Sequence, residues 1–166
     1  MYYTYNYDSP IGKILLESDE INLTGLWFYG GKHFAELYAK EHSEKCTPVI
    51  AEAINWLEMY FKGKRPEPFV KFRMEGSKFQ ISVWNILLEI PYGKTVSYKD
   101  IALKLAKERG ISDMSFQAVG NAVGRNKISV IIPCHRVIGT DGKLRGYAGG
   151  IDRKIALLNL ESAENC

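Results

Sequence analysis

The stretch Ile132-Pro133-Cys134-His135-Arg136-Val137 sets a potential nucleophile directly before a potential base, with a rigid proline on one side and a cation on the other. The apolar run Val130-Ile131-Ile132 predicts a short buried strand leading into it. Gly139-Thr140-Asp141-Gly142 predicts a turn leading away. Cys134 is therefore expected where a rigid element gives way to a loop, a common place for chemistry to be presented. A thiol reacts as thiolate, and a nearby imidazole or guanidinium lowers its pKa. Taken alone, Cys-His fits a buried structural cysteine beside a surface histidine better than it fits a catalytic pair.

Outward from that stretch, the 166 residues suffice for one domain or two small ones. The content of 46% hydrophobic and 25% charged residues is that of an ordinary globular chain. No apolar run approaches the length of a membrane span. The start, Met1-Tyr2-Tyr3-Thr4-Tyr5-Asn6-Tyr7, lacks the basic and apolar regions of a signal peptide. The expected location is cytoplasmic, or nuclear if the source has a nucleus. Cys46, Cys134 and Cys166 are odd in number and far apart, which argues against a disulfide framework or a zinc site. His33, His42 and His135 add no ligand cluster, and no metal site is expected. Cys46 reads as a small structural residue, and Cys166 as a tail thiol without a role. The net charge of +3 is unevenly spread. Residues 1–75 hold nine Lys/Arg against eleven Asp/Glu; residues 76–166 hold thirteen against eight. The basic half is the half with Cys134, which points to a polyanion or to chance asymmetry on a solvated surface.

The first half predicts strands followed by helices. Tyr3, Tyr5 and Tyr7 alternate with Thr4 and Asn6, and runs at 14–16 and 23–29 give two more strands. A helix is expected over about 33–42. A better one starts at Thr47 with Pro48 in its first position, carries Ile50, Ile54, Leu57 and Phe61 on one face, and stops at Gly63. Residues 64–68 read as extended linker and 69–72 as an added strand. The domain boundary is expected near Glu75-Gly76, giving domains 1–75 and 76–166.

The second half predicts helices. Ser77-Lys78-Phe79-Gln80 is a capping box followed by Phe79, Val83, Leu87 and Ile90 on one face. Pro91-Tyr92-Gly93 breaks that helix. Ser97-x-x-Asp100 opens the next, which ends at Gly110, and a third covers Phe116 to about Val123. A last helix opens near Asp152 and carries Ile155, Leu158 and their neighbours. The pair over 97–109 and 115–124 has the pattern of a helix-turn-helix. In its second member, Gln117-Ala118-Val119-Gly120-Asn121-Ala122-Val123-Gly124, Val119 and Val123 can face the core, while Ala118, Gly120, Asn121 and Ala122 leave the rest almost bare. Two glycines in a short helix cost about 1 kcal/mol each against Ala. The bare face serves either tight helix packing within the chain or close approach of a nucleic-acid backbone.

These segments resemble, in order, the 6-O-alkylguanine-DNA alkyltransferases, also called methylated-DNA–protein-cysteine methyltransferases. The matching text is Phe79-Gln80-x-x-Val83-Trp84, Ile90-Pro91-x-Gly93, Ser97-Tyr98-x-x-Ile101-Ala102, Ala118-Val119-Gly120, Gly124-Arg125-Asn126, Ile132 to Ile138 and Gly146-Tyr147-Ala148-Gly149-Gly150, continuing through Lys154 and Leu157-Leu158 to Glu161. The resemblance implies an α+β protein. Its N-terminal domain would be ribonuclease-H-like α/β with a small antiparallel sheet, and its C-terminal domain mainly helical with a winged-helix-like helix-turn-helix.

The resemblance also implies DNA repair by direct reversal without a cofactor. An alkylated guanine in double-stranded DNA would be flipped into a pocket of the C-terminal domain. Cys134 would take the alkyl group from O-6 of guanine, or from O-4 of thymine, and keep it, so that a monomer acts once. His135 matches the base, acting through a water, and Glu161 the acid that orients it, in the logic of hydrolytic triads. Tyr98 matches the proton donor to the base, and Asn126 the residue that ties the active-site turn. Arg136 would be a structural or electrostatic support. Val137, Tyr147, Ala148 and Gly149 would shape the pocket, and Gln117, Ala118, Gly120, Asn121 and Arg125 would meet DNA. At the position of Gln117 the family usually has an arginine that enters the base stack; glutamine carries no charge and stacks less well. Phe116 could assist as an apolar wedge. The loop from Lys107 to Met114 is longer than the family minimum, and the N-terminal zinc ligands of some relatives are not apparent. A sensor that binds alkylated guanine without repairing it would replace the cysteine. A thiol hydrolase would turn over, and a helix-turn-helix regulator would present polar base-reading side chains.

Overall fold

A computed structural model of the chain describes residues 1–34, 36, 41–67 and 70–163. Strands β1 (Tyr2–Ser9), β2 (Gly12–Ser18) and β3 (Leu23–Phe28) form the antiparallel meander expected from the alternating pattern. A fourth strand, β4 (His42–Glu44), pairs parallel to β1, giving the order β3-β2-β1-β4. His42 thus belongs to a strand and not to the expected helix over 33–42; residues 35 and 37–40 of that helix lie outside the described ones. Ile14, Leu15 and Leu16 of central β2 are all buried, since both faces of the strand are covered. Thr4, not its flanking tyrosines, is the buried residue of β1. Cys46 is exposed beyond β4, so it fills no core position.

Helix α1 (Pro48–Phe61) starts as predicted: the Thr47 hydroxyl accepts from the Ile50 N–H and Pro48 opens the helix. It buries Val49, Ile50, Ala53, Trp56, Leu57 and Tyr60. The expected strand over 69–72 shrinks to one parallel bridge between Leu23 and Phe72, Phe69 lying outside the described residues. A second bridge joins Leu26 to Ile128. One segment from each half thereby covers the edge of β3, which would otherwise offer unpaired backbone.

The C-terminal helices follow their caps. Ser77 and Gln80 close a capping box on α2 (Lys78–Leu88), and Ser97 and Asp100 close another on α3 (Tyr98–Arg109), which ends on left-handed Gly110 at φ 66°. Ser115 caps α4 (Phe116–Gly124). The short strands β5 (Val96–Ser97) and β6 (Val137–Ile138) pair in parallel, and α5 (Ile151–Ala163) closes the fold. The inward face of α5 is Lys154, Leu157 and Glu161, at the i, i+3, i+7 spacing of one helix stripe. Ile155, on the same helix, is 40% exposed. Apolar residues of both halves form one continuous core. Among the described residues no helix is long and apolar enough to cross a membrane.

Candidate active site

The predicted strand over Val130–Ile132 is a buried turn instead. Asn126, just past α4, supplies what a strand partner would. Its Nδ2 donates to the Ile132 carbonyl at 2.8 Å and to that of Ile128 at 3.4 Å, and its Oδ1 accepts from the Ile128 N–H at 3.0 Å. Two three-residue turns follow. Ile131 N–H donates to Ser129 O at 2.8 Å across Val130, and Cys134 N–H donates to Ile132 O at 2.8 Å across Pro133. Val130 sits at φ 69°, a left-handed conformation that a β-branched residue adopts only under constraint, at a cost of about 1–3 kcal/mol. The constraint is visible: Leu26 N–H donates to Lys127 O and Ser129 N–H to Leu26 O, clamping the turn to β3.

The turn delivers Cys134, His135 and Arg136 in a single 3-10 turn. His135 and Glu161 are both buried, and His135 Nε2 lies 2.6 Å from Glu161 Oε2. The same oxygen accepts from Tyr60 Oη at 2.6 Å and Arg136 Nη2 at 3.1 Å. Glu161 Oε1 accepts from Arg136 Nε at 2.8 Å and from the Gly93 N–H at 3.1 Å. Arg136 Nη1 donates to the Ile90 carbonyl at 2.7 Å. Burial alone would raise the Glu161 carboxyl, but the hydrogen bonds and charges of His135 and Arg136 outweigh it and hold the group far below the usual carboxylate range. Burial, with Arg136 and Lys154, pushes the His135 imidazole below its ordinary value despite the pull of Glu161. A neutral imidazole facing a carboxylate carries its proton on Nε2. Nδ1 is then an unprotonated acceptor, and it is buried without a protein partner.

The thiol departs from expectation in its electrostatics. Cys134 is 4% exposed, and burial pushes its pKa up more than the Asn126 side chain and the Lys154 charge pull it down. The guanidinium expected to lower it is committed to Glu161 and Ile90. The cation that faces the sulfur is Lys154, fully buried, whose Nζ donates to Val137 O at 2.6 Å and Arg145 O at 3.1 Å and is pushed down to about 8 by its burial. The resting thiol is protonated and needs a base.

Cys134 opens onto a cleft of about 1270 Å³. One wall is the exposed face of α4, from Phe116, Gln117, Ala118, Gly120 and Asn121 to Arg125; the other is the loop from Gly139 to Ala148. Tyr98 also lines it, half-buried, its phenol raised by burial and by the nearby Cys134, hence protonated. A Cβ placed on Gly120 would meet only the Tyr98 ring at 3.9 Å, and one on Gly124 would meet nothing within 4 Å. The glycines of α4 therefore do not serve packing within the chain; their bareness faces the cleft. Arg125 forms an exposed ion pair with Glu36 at 3.0 Å. Tyr147 and Ala148 stand on the wall, while buried Val137 and Gly149 stand behind it and act through backbone carbonyls to Lys154 and Arg153.

The N-terminal half also shapes this wall, which the sequence reading missed. Lys32 N–H donates to Ala148 O at 2.7 Å, and a Cβ on Gly31 would lie 2.7 Å from that oxygen. Arg153 joins Gly149 O to Ile11 O and Tyr29 O at 3.0 Å each. Tyr60 and Arg153 carried no signal as site residues; Lys154 stood in the matching text without a role, and the stripe it shares with Leu157 and Glu161 on α5 could have been read in advance.

Two family models match the chain, described as 6-O-methylguanine DNA methyltransferase, ribonuclease-like domain, over residues 1–73, and 6-O-methylguanine DNA methyltransferase, DNA binding domain, over residues 78–163. A methylated-DNA–protein-cysteine methyltransferase of Methanosarcina barkeri is 48% identical over 161 residues, 97% of each chain. The crystal structure of the Mycobacterium tuberculosis O6-methylguanine methyltransferase is similar with a TM-score of 0.84 and 39% identity, covering 98% of this chain and 94% of that one. A Mycobacterium tuberculosis structure in complex with DNA has a TM-score of 0.83 and 40% identity, covering 98% and 92%.

Proposed function

Since the chain belongs to the 6-O-methylguanine DNA methyltransferase family, we infer that it is a direct-reversal DNA-repair protein that moves an alkyl group from O-6 of guanine onto Cys134. The observation that carries this reading is the placement of one buried thiol at the foot of an open cleft, beside a neutral histidine locked to a carboxylate through its far nitrogen. His135 Nδ1 takes the thiol proton through a water, and Glu161 stabilises the imidazolium that results. The sulfur attacks the alkyl carbon, the carbon–oxygen bond breaks, and its electron pair passes to the guanine oxygen. Tyr98 donates the proton that the departing base requires. O-4 of thymine offers the same carbon–oxygen bond. The thioether product has no leaving group that the site could activate, so each molecule acts once.

The target base must leave the duplex to reach Cys134. Bare α4, through Ala118, Gly120 and Asn121 and flanked by Arg125, meets the DNA backbone and groove; Gln117 and the half-exposed ring of Phe116 occupy the gap in the stack. Tyr147 and Ala148 contact the flipped base, with Val137 and Gly149 supporting them. The C-terminal domain from residue 76 binds the DNA, and the protein acts as a cytoplasmic monomer. The test is to mix the chain with a duplex containing O6-methylguanine and weigh both. A permanent, stoichiometric gain of one CH2 on the Cys134 peptide supports the reading; multiple turnovers, or no gain, defeats it. Gln117→Arg should transfer faster on duplex DNA than the wild type, and Gln117→Ala slower. Stacking and charge are worth about 1 kcal/mol, hence about fivefold in rate. Equal single-turnover rates for the three would remove any role in the stack.

A further inference from the structure

Glu161 receives one of its donors from the other half of the chain. Tyr60 stands in the last turn of α1, separated from Glu161 by 101 positions, and its Oη donates to Glu161 Oε2 at 2.6 Å. The same Oη is 3.5 Å from His135 Nε2. The phenol is 1% exposed and its ring is held on three sides: stacked on Trp56 at 5.4 Å, and edge-on to Phe61 at 5.3 Å and to Tyr92 at 6.2 Å. A buried hydroxyl fixed this firmly gives a bond of defined direction.

We propose that Tyr60 is a positioning residue for alkyl transfer, holding the Glu161 carboxylate in register with His135 and thereby giving the N-terminal half a part in the chemistry. This rests on the reading of Cys134 and His135 given above. Glu161 Oε2 divides its negative charge among His135, Tyr60 and Arg136. Several donors on one oxygen share its lone pairs and its charge, so each added donor weakens its pull on the others. With Tyr60 in place, the imidazole is held less tightly in its protonated form and stays neutral, ready to accept a proton on Nδ1. The charged groups facing the imidazole are Glu161 and Lys154 from α5 and Arg136 beside it; those facing the phenol are Glu161 and Arg136. None of the others replaces the lost hydroxyl donor.

Tyr60→Phe keeps the ring and deletes the donor. The single-turnover rate of methyl transfer, measured against pH, should show its acid limb moved upward by about one unit, so that transfer at pH values below the wild-type limb falls about tenfold while the alkaline rate stays within about twofold. Trp56→Phe, which loosens the stack but leaves the hydroxyl, should lower the melting temperature without moving the limb. A folded Tyr60→Phe chain whose profile overlays that of the wild type overturns the proposal, as does an equal displacement in Trp56→Phe. If Tyr60→Phe does not fold, the wild-type chain carries the test by proton NMR. A slowly exchanging, far-downfield Tyr60 hydroxyl with cross-relaxation to the His135 Nε2 proton supports the proposal, and its absence overturns it. Failure of the wild type itself to take up the methyl group would defeat the underlying reading, a result distinguishable from either outcome.

Discussion

Cys134→Ser is expected to abolish methyl transfer and to leave the affinity for O6-methylguanine duplex DNA within about twofold of the wild type, the phosphate and groove contacts that dominate binding being untouched. The swap exchanges one atom in a closed setting, so the turn through Asn126, Val130 and Pro133 should survive it. Chemistry does not survive. The site opposes ionisation even of the thiol, because burial outweighs the Asn126 hydrogen bond and the Lys154 charge. A neutral, pKa-lowered imidazole is a weak base. It can generate a thiolate from a group whose ordinary pKa is about 8.5, and not an alkoxide from one far higher. The loss should exceed about a thousandfold in the single-turnover rate constant, read by mass spectrometry of the peptide, with gel shift on the same duplex for binding. Methyl recovered on exposed Cys46, or transfer persisting in Cys134→Ser, would move the reaction away from this site. The same argument predicts that the wild-type rate keeps rising beyond pH 8.5, because the folded thiol titrates above its ordinary value.

Local chemistry was readable wherever it decides local structure. Thr47, Ser77, Ser97 and Ser115 all cap the helices their positions announce, because a cap depends on a few neighbouring residues. The roles proposed for Cys134, His135 and Glu161 rest on resemblance, since in sequence Glu161 reads equally as a solvated carboxylate. Two readings failed for one physical reason. Val130–Ile132 has strand composition, yet the Asn126 amide and the edge of β3 bend it into a turn. The helix expected over about 33–42 runs into His42, which instead opens β4, because the strand's partner, β1, lies forty residues away. Lys154 and Glu161, of charged types that ordinarily stay in water, line the buried stripe of α5 because each finds fixed partners inside. The bare face of α4 is the converse: composition left packing and DNA as alternatives, and the empty space beside Gly120 and Gly124 favours the cleft. Long-range pairing determines what a buried polar group costs, and a single chain read residue by residue carries little of it.

Glu161→Gln is expected to be the most destabilising substitution at the site, by about 3–5 kcal/mol at pH 7, since removing one partner leaves a buried charge uncompensated. The carboxylate accepts from Tyr60, His135, Arg136 and the Gly93 N–H, tying α1, α5, the Cys134 turn and the loop after α2 to one point. Glutamine offers one acceptor oxygen, brings two donors toward groups that are already donors, and removes the charge that balances Arg136. The pH dependence separates this from simple misfit. The Glu161 pKa is depressed in the folded chain, so its stabilisation is fully present above its unfolded value of about 4.3 and is lost as pH falls through that region toward the lower folded value. The His135 pKa is also depressed, so unfolding takes up a proton below about pH 6.5 and the wild type begins to weaken there. In urea unfolding the wild type should therefore lose stability in two stages on acidification, and Glu161→Gln should lack the lower one, so that the gap between them narrows as pH falls below about 4.3. A gap that stays constant would mean that the carboxylate charge contributes nothing and that the cost is packing alone. Transfer by Glu161→Gln, measured below its unfolding transition, should fall about a hundredfold or more, because the imidazolium formed when Cys134 is deprotonated then has no anion beside it and only Arg136 and Lys154 to repel it.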